Sequence, residues 1–118
     1  MKTITLKRND NRIALEATLK KPDGTAEDLT DATVKFIMRA GRFSNRYGKY
    51  EYNEEATINR AVDTVDAEAG KVWMVFTTEE LSTEGWYLAE FEATYQDGRV
   101  ETYPNDKYIT ILIIKDLG

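Results

Sequence analysis

Three groups of residues have types and spacings that could do chemistry. Asp63, Asp66 and Glu68 crowd one turn, and several carboxylate oxygens close together are what calcium favours. Their spacing lacks the glycine at a sharp bend and the further acidic positions of a helix-loop-helix calcium loop, so a plain polar turn is expected and no metal site is assigned. Glu90 and Glu92 lie two apart on an extended segment and share a face, as the acid and base of a glycosidase would. The same spacing describes the wet face of a strand whose other face is core, and no neighbouring motif supplies a substrate cleft. No catalytic residue is assigned. The third group, Arg42, Phe43, Arg46, Tyr47, Lys49, Tyr50 and Tyr52, concentrates aromatic and basic side chains in an otherwise acidic chain. Tyrosine and arginine are favoured in interface hot spots, which makes this segment a candidate protein-contact loop. The same residues could stack on sugar rings or bases, or simply cover the edge of a sheet.

Composition narrows the choice. The chain has 118 residues, enough for one domain, residues 1–118, with a single core and no need of metals or disulfides. Apolar residues make up 42% and charged residues 31%, as in soluble globular proteins. It has no cysteine and no histidine, which removes thiolate chemistry, the usual neutral-pH base and the commonest transition-metal ligand. A triad hydrolase or zinc enzyme is thereby disfavoured, and no cofactor is expected. A net charge of -5 argues against a dedicated nucleic-acid binder. The first residues lack the apolar run of a signal peptide, and no stretch approaches the roughly 20 apolar residues of a membrane span, so a soluble protein made in a cytoplasm is expected, with no membrane partner.

The elements that position these groups read as strands. Tyr87, Ala89, Phe91, Ala93 and Tyr95 alternate with Trp86, Leu88, Glu90, Glu92 and Thr94, a period of two. The Asp97-Gly98 pair then supplies the positive dihedrals of a tight hairpin. Similar alternation predicts strands over residues 3–7, 12–20, 34–38, 57–65, 71–77 and 108–115, with a short edge strand at Tyr50 and Tyr52 inside the patternless stretch 39–55. Residues 78–85 could form one helical turn, threonine followed by acidic residues suiting a helix start. Trp73 and Val75 make the strand at 71–77 apolar on both faces, predicting a central or doubly covered strand, and Trp73 and Trp86 are expected in the core or at a seam. Pro104, Asn105 and Asp106 read as a bend in which the polar side chains cap backbone donors. The last strand sets Ile109, Ile111 and Ile113 against Tyr108, Thr110, Leu112 and Ile114. A strand this apolar must lie inside a sheet or against a partner, so Leu112 and Ile114 join the candidate contact residues. Seven to nine strands with almost no helix predict an all-β, immunoglobulin-like antiparallel β-sandwich, with a small closed barrel as the alternative.

Three phrases carry a resemblance. They are the run from Asp23-Gly24-Thr25 through Asp28-Leu29-Thr30 and Ala32-Thr33-Val34 to Phe36 and Met38-Arg39, the segment 65–72, and above all the segment from Gly85-Trp86-Tyr87 through Gln96-Asp97-Gly98-Arg99 to Pro104-Asn105-Asp106. Together they cover most of the chain from about residue 20, and they resemble the N-terminal domain family of phage baseplate upper proteins. That resemblance implies an immunoglobulin-like sandwich without catalytic residues, used in tailed-phage virions to join one component to another. Related domains often begin a longer protein, whereas this chain ends three residues after Lys115, as a trimmed piece or a free-standing relative would. The expected partners are other virion proteins and further copies of the chain, and the expected location is the virion, after synthesis in the host bacterial cytoplasm. A carbohydrate-binding sandwich and a neck or head-decoration protein are the alternatives.

Overall fold

The computed structural model describes residues 3–117. Its ten strands are β1 (Thr3–Lys7), β2 (Ala14–Thr18), β3 (Thr33–Ser44), β4 (Lys49–Tyr52), β5 (Ile58–Ala61), β6 (Asp63–Asp66), β7 (Lys71–Val75), β8 (Gly85–Thr94), β9 (Val100–Tyr103) and β10 (Ile109–Ile114). They form two sheets, an all-β sandwich. The larger runs β1-β10-β8-β3-β4, with β5 also beside β3 and β9 also beside β8; the smaller runs β2-β7-β6.

The core follows from the alternation. Val34, Phe36 and Met38 of β3, Tyr87, Ala89, Phe91 and Ala93 of β8, and Ile111 and Ile113 of β10 point inward and meet Val72, Met74 and Phe76 from the smaller sheet. Phe36 joins the layers, edge-on to Phe91 at 5.1 Å and to Phe76 at 5.8 Å between ring centroids. Burial of this apolar core is the dominant favourable contribution to folding, and the three rings are its largest buried side chains.

Several expectations change in detail. The stretch 57–65 is two strands: β5 pairs with β3 in the larger sheet and β6 with β7 in the smaller, so the chain crosses between layers at Val62, which packs half-buried against the core. That split takes the number of strands to ten. Residues 39–55 are mostly ordered as strand, because β3 continues through Ser44 and turns back as β4. The pairing is antiparallel except between β1 and β10, which lie parallel. No hairpin links these two ends of the chain, so no turn dictates their direction. β10 is interior, its backbone paired with β1 on one side and β8 on the other. β7 is central in its sheet, but its outer face is bare: Trp73 is 47% and Val75 48% exposed, and Trp86 at 37% also lies outside the core.

The turns deserve the same correction. Of the Asp97-Gly98 pair only Gly98 has positive φ, at 87°, and the loop closes on Tyr95 and Arg99 through a 2.8 Å bond from the Tyr95 N–H to the Arg99 carbonyl. This is a three-residue loop with glycine in the left-handed position. Asn105 acts as a donor, to Thr102 O at 2.9 Å and Glu101 Oε2 at 3.0 Å, and so satisfies acceptors instead of donors.

The expected helical turn is a single 3-10 turn at Glu79–Leu81. Thr77 and Glu80 form a capping box before it: the Thr77 N–H donates to Glu80 Oε1 at 2.8 Å and the Glu80 N–H to Thr77 Oγ1 at 3.3 Å. The same carboxylate holds Arg60 through Nε at 2.7 Å and Nη2 at 2.9 Å, and Nη2 also reaches Val75 O at 2.6 Å, tying β5 to the end of β7. The Arg60 bond first, and the Thr77 bonds with it, hold the Glu80 carboxyl below its ordinary 4.5 despite partial burial. A depressed carboxylate contributes stability that is present above 4.5 and lost as pH falls through the folded value. Glu80→Gln should therefore cost roughly 1–2 kcal/mol at pH 7. In urea titrations the gap from the parent chain should narrow as pH falls below 4.5 and through the lowered folded value; a gap independent of pH would reject the ion pair as its source.

Candidate functional site

The pairing register assembles the site on the outward face of the larger sheet. β3 pairs with β8 up to Ala40 opposite Tyr87, and its last four residues pair with β4 alone, so the β3–β4 hairpin runs past the end of β8. Phe43 stands opposite Tyr50, and Gly41 opposite Tyr52. Side chains directly opposite share a face, which puts Phe43, Tyr50 and Tyr52 on the side away from the core. The turn between them is set by Gly48 at φ 66°, whose N–H donates to Ser44 O at 2.8 Å.

Four rings interlock there. Phe43 meets Tyr50 edge-on at 5.1 Å, Tyr50 meets Tyr108 at 4.9 Å, and Tyr52 meets Tyr108 at 6.0 Å. Arginines lie over rings on this face: the Arg39 guanidinium is 5.6 Å from the Tyr52 ring of the cluster, and that of Arg42 is 5.6 Å from the separate ring of Trp86. At the tip Arg46 lies 5.5 Å from the ring of Tyr47, which is 63% exposed. Each geometry is in the range of an attractive cation–π contact. The hairpin therefore presents its aromatic and basic groups on a braced platform.

Of the candidate contact residues, Phe43, Tyr50 and Tyr52 are brought together, while Arg46 and Tyr47 occupy the tip. Lys49 is exposed at the start of β4. Leu112 and Ile114 sit farther along the same outward face on β10. Leu112 is half-buried opposite Trp86, and Arg42 over that tryptophan links this apolar strip to the hairpin. With both edges of β10 already paired, only its side chains are open to a partner. Tyr108 and Arg39 belong to the cluster, and Trp86 meets the hairpin through Arg42, although the spacing of the sequence placed none of them there. Tyr108 was legible only as the start of an apolar strand.

Beside the cluster a pocket of about 260 Å³ is lined by Arg39, Tyr52, Asn59, Glu90, Glu92 and Tyr108, among others. Burial first, and then the charge of Glu92, push the Glu90 carboxyl above its ordinary value, with Arg39 pulling the other way. Burial and the Tyr52 hydroxyl push the Tyr108 phenol up. Glu90 and Glu92 share the outward face of β8, as their spacing predicts, opposite Ile37 and Lys35. Asp63 stands on β6 opposite Trp73, Asp66 opposite Lys71, and Asp66 Oδ1 accepts the Ala69 N–H at 3.3 Å. Among the described residues no group of three or more acidic side chains is placed to hold a metal ion.

Fold and site together define a small all-β structural domain with a braced aromatic and basic hairpin. The sequence model of the BppU N-terminal domain matches residues 1–104, and the chain belongs to that phage baseplate domain family. It is a phage structural module. Among solved structures it is similar to the N-terminal domain of phage TP901-1 ORF48, at a TM-score of 0.65 and 18% identity, over 95% of this chain and 84% of that one. At that identity the likeness concerns the fold. Comparison with curated proteins found no match.

Proposed function

We propose that the chain is a non-enzymatic assembly module of a tailed-phage virion, at the baseplate or tail, which joins neighbouring subunits through the β3–β4 hairpin. The family supports the setting, and the sandwich, read as immunoglobulin-like, would serve as a rigid mount. One observation carries the contact: in a chain of net charge -5, a single hairpin that runs past the neighbouring strand gathers Phe43, Tyr50 and Tyr52, braced by Tyr108 just before β10, with arginines beside them. Rings already held in place lose little freedom on binding, and tyrosine with arginine is the composition of interface hot spots. Self-association in the particle would multiply a weak single contact through multivalency. Synthesis in the host bacterial cytoplasm followed by incorporation into the virion fits this reading.

Arg46→Ala combined with Tyr47→Ala should lower incorporation into reconstituted particles at least tenfold, equivalent to about 1.4 kcal/mol of contact energy. The same variant should unfold with an unchanged midpoint, because both side chains lie outside the core. Full incorporation of a folded double variant would refute the hairpin contact. Sugar binding is a second reading, favoured by the pocket in which Tyr52 and Tyr108 stand beside Glu90, Asn59 and Arg39. A glycan array without a hit would dismiss it.

A further inference from the structure

The smaller sheet ends at β2, and that edge is open. The Leu19 N–H donates to Gly70 O at 2.8 Å and the Phe76 N–H reaches Ile13 O at 3.5 Å, so the odd-numbered residues direct their backbone groups toward β7 and the chain beside it. Successive residues of a strand point these groups to opposite edges. The N–H and C=O groups of Ala14, Glu16 and Thr18 therefore face outward, and no strand among the described residues pairs with them. Lys20 continues the line. Its bridge to Ala26 is made by flanking residues, Lys21 N–H to Thr25 O at 2.8 Å and Glu27 N–H to Leu19 O at 2.9 Å, which leaves its own groups at the open edge.

Next to this edge a groove of about 500 Å³ opens between the sheets. Phe91, Tyr103 and Ile109 give it an apolar lining, and Lys20, Lys21 and Lys107 surround it with Asp106 as the one carboxylate. Within the lining the lysines outnumber the carboxylates three to one, while Asp23 and Asp28 stand within electrostatic reach of Lys21 outside it. The opposite edge of the same sheet is different: β6 has a register break between Thr64 and Asp66 and carries two aspartates, devices that discourage strand addition.

We propose that the open edge of β2 receives an extended segment of a partner protein by strand addition, with alternate apolar side chains entering the groove and an acidic end meeting the three lysines. Four residues of the edge offer four N–H and four C=O groups, a register long enough for peptide capture of this kind. A second copy of β2 is a poor occupant. Full antiparallel pairing of the two edges would set Glu16 against Glu16 and Arg12 against Lys20, both like-charged. The β2 edge belongs to the smaller sheet and the hairpin to the larger, and residues 104–107 line both the groove and the surface beside Tyr50 and Tyr108, so variants at Glu16, Lys20 and Lys21 test the edge alone.

The test uses two synthetic octapeptides of alternating valine and threonine, one closed by two glutamates and its twin by two lysines, added to the isotope-labelled chain. The glutamate peptide should slow exchange of the Ala14, Glu16 and Thr18 amides about tenfold, and the lysine peptide should bind at least about tenfold more weakly. Glu16→Pro removes an outward N–H while sparing the bonds toward β7, and should abolish the protection. Lys20→Glu with Lys21→Glu leaves the backbone untouched and should reverse the preference between the peptides. Unchanged exchange at saturating peptide, an equal response to both peptides, or full protection in the folded proline variant would each overturn the proposal.

Discussion

Phe36→Ala should lower the unfolding free energy by about 3–5 kcal/mol, roughly a fifth or more of what a domain of this size commonly has. Phe36 is fully buried and touches Phe91 in its own sheet and Phe76 from the other, so its removal opens a cavity at the junction of the two layers. Neither neighbouring ring can fill that space without leaving its own edge-on contact. Guanidinium titration followed by tryptophan fluorescence measures the loss, with Phe43→Ala as the comparison. Phe43 is 43% exposed on the hairpin, and its removal should cost less than about 1 kcal/mol. Equal costs at the two positions would mean that the layers are not joined through Phe36.

Gly41→Val should detach the hairpin while the sandwich stays folded. A Cβ at residue 41 would lie 2.6 Å from Tyr52 Cβ and 2.7 Å from Tyr52 Cα, and against the Glu51 carbonyl oxygen, so β4 must move away from β3. Tyr52 would then lose Tyr108 and Arg39 together. Strain of this kind costs about 1–3 kcal/mol, more than four hairpin residues with a single strand neighbour can absorb. Amide exchange of residues 49–52 should rise at least tenfold, while that of β8 and β10 stays within about twofold of the parent. Incorporation into particles should fall as far as in the Arg46→Ala, Tyr47→Ala variant. Intact exchange protection in β4 would show that the close approach at Gly41 is not required.

The alternation of β8 was legible in the sequence because one of its faces is core along its whole length. β3 was legible only as far as Met38. Beyond Ala40 the strand leaves the sandwich, neither face is buried against the second sheet, and the period of two that burial imposes disappears from Arg39 to Ser44. Trp73 and Val75 misled in the opposite sense, since apolar side chains on an exposed face look the same in sequence as those of a covered strand. The aromatic and basic segment could be singled out by composition alone. Its completion by Tyr108, and its link through Arg42 to Trp86, depend on the β3–β8 and β8–β10 registers, which are contacts between distant parts of the chain that no local spacing encodes.

A photoreactive residue placed at Tyr47 in assembled particles probes the subunit contact most directly. Tyr47 is 63% exposed at the hairpin tip, and an exposed position in the remote loop at Asp97 provides the control. On irradiation, position 47 should form a covalent adduct with a neighbouring virion subunit, and position 97 should form none. Particles that incorporate the labelled chain but give no adduct from position 47, or equal adducts from both positions, would contradict the assignment of the hairpin as the joining surface.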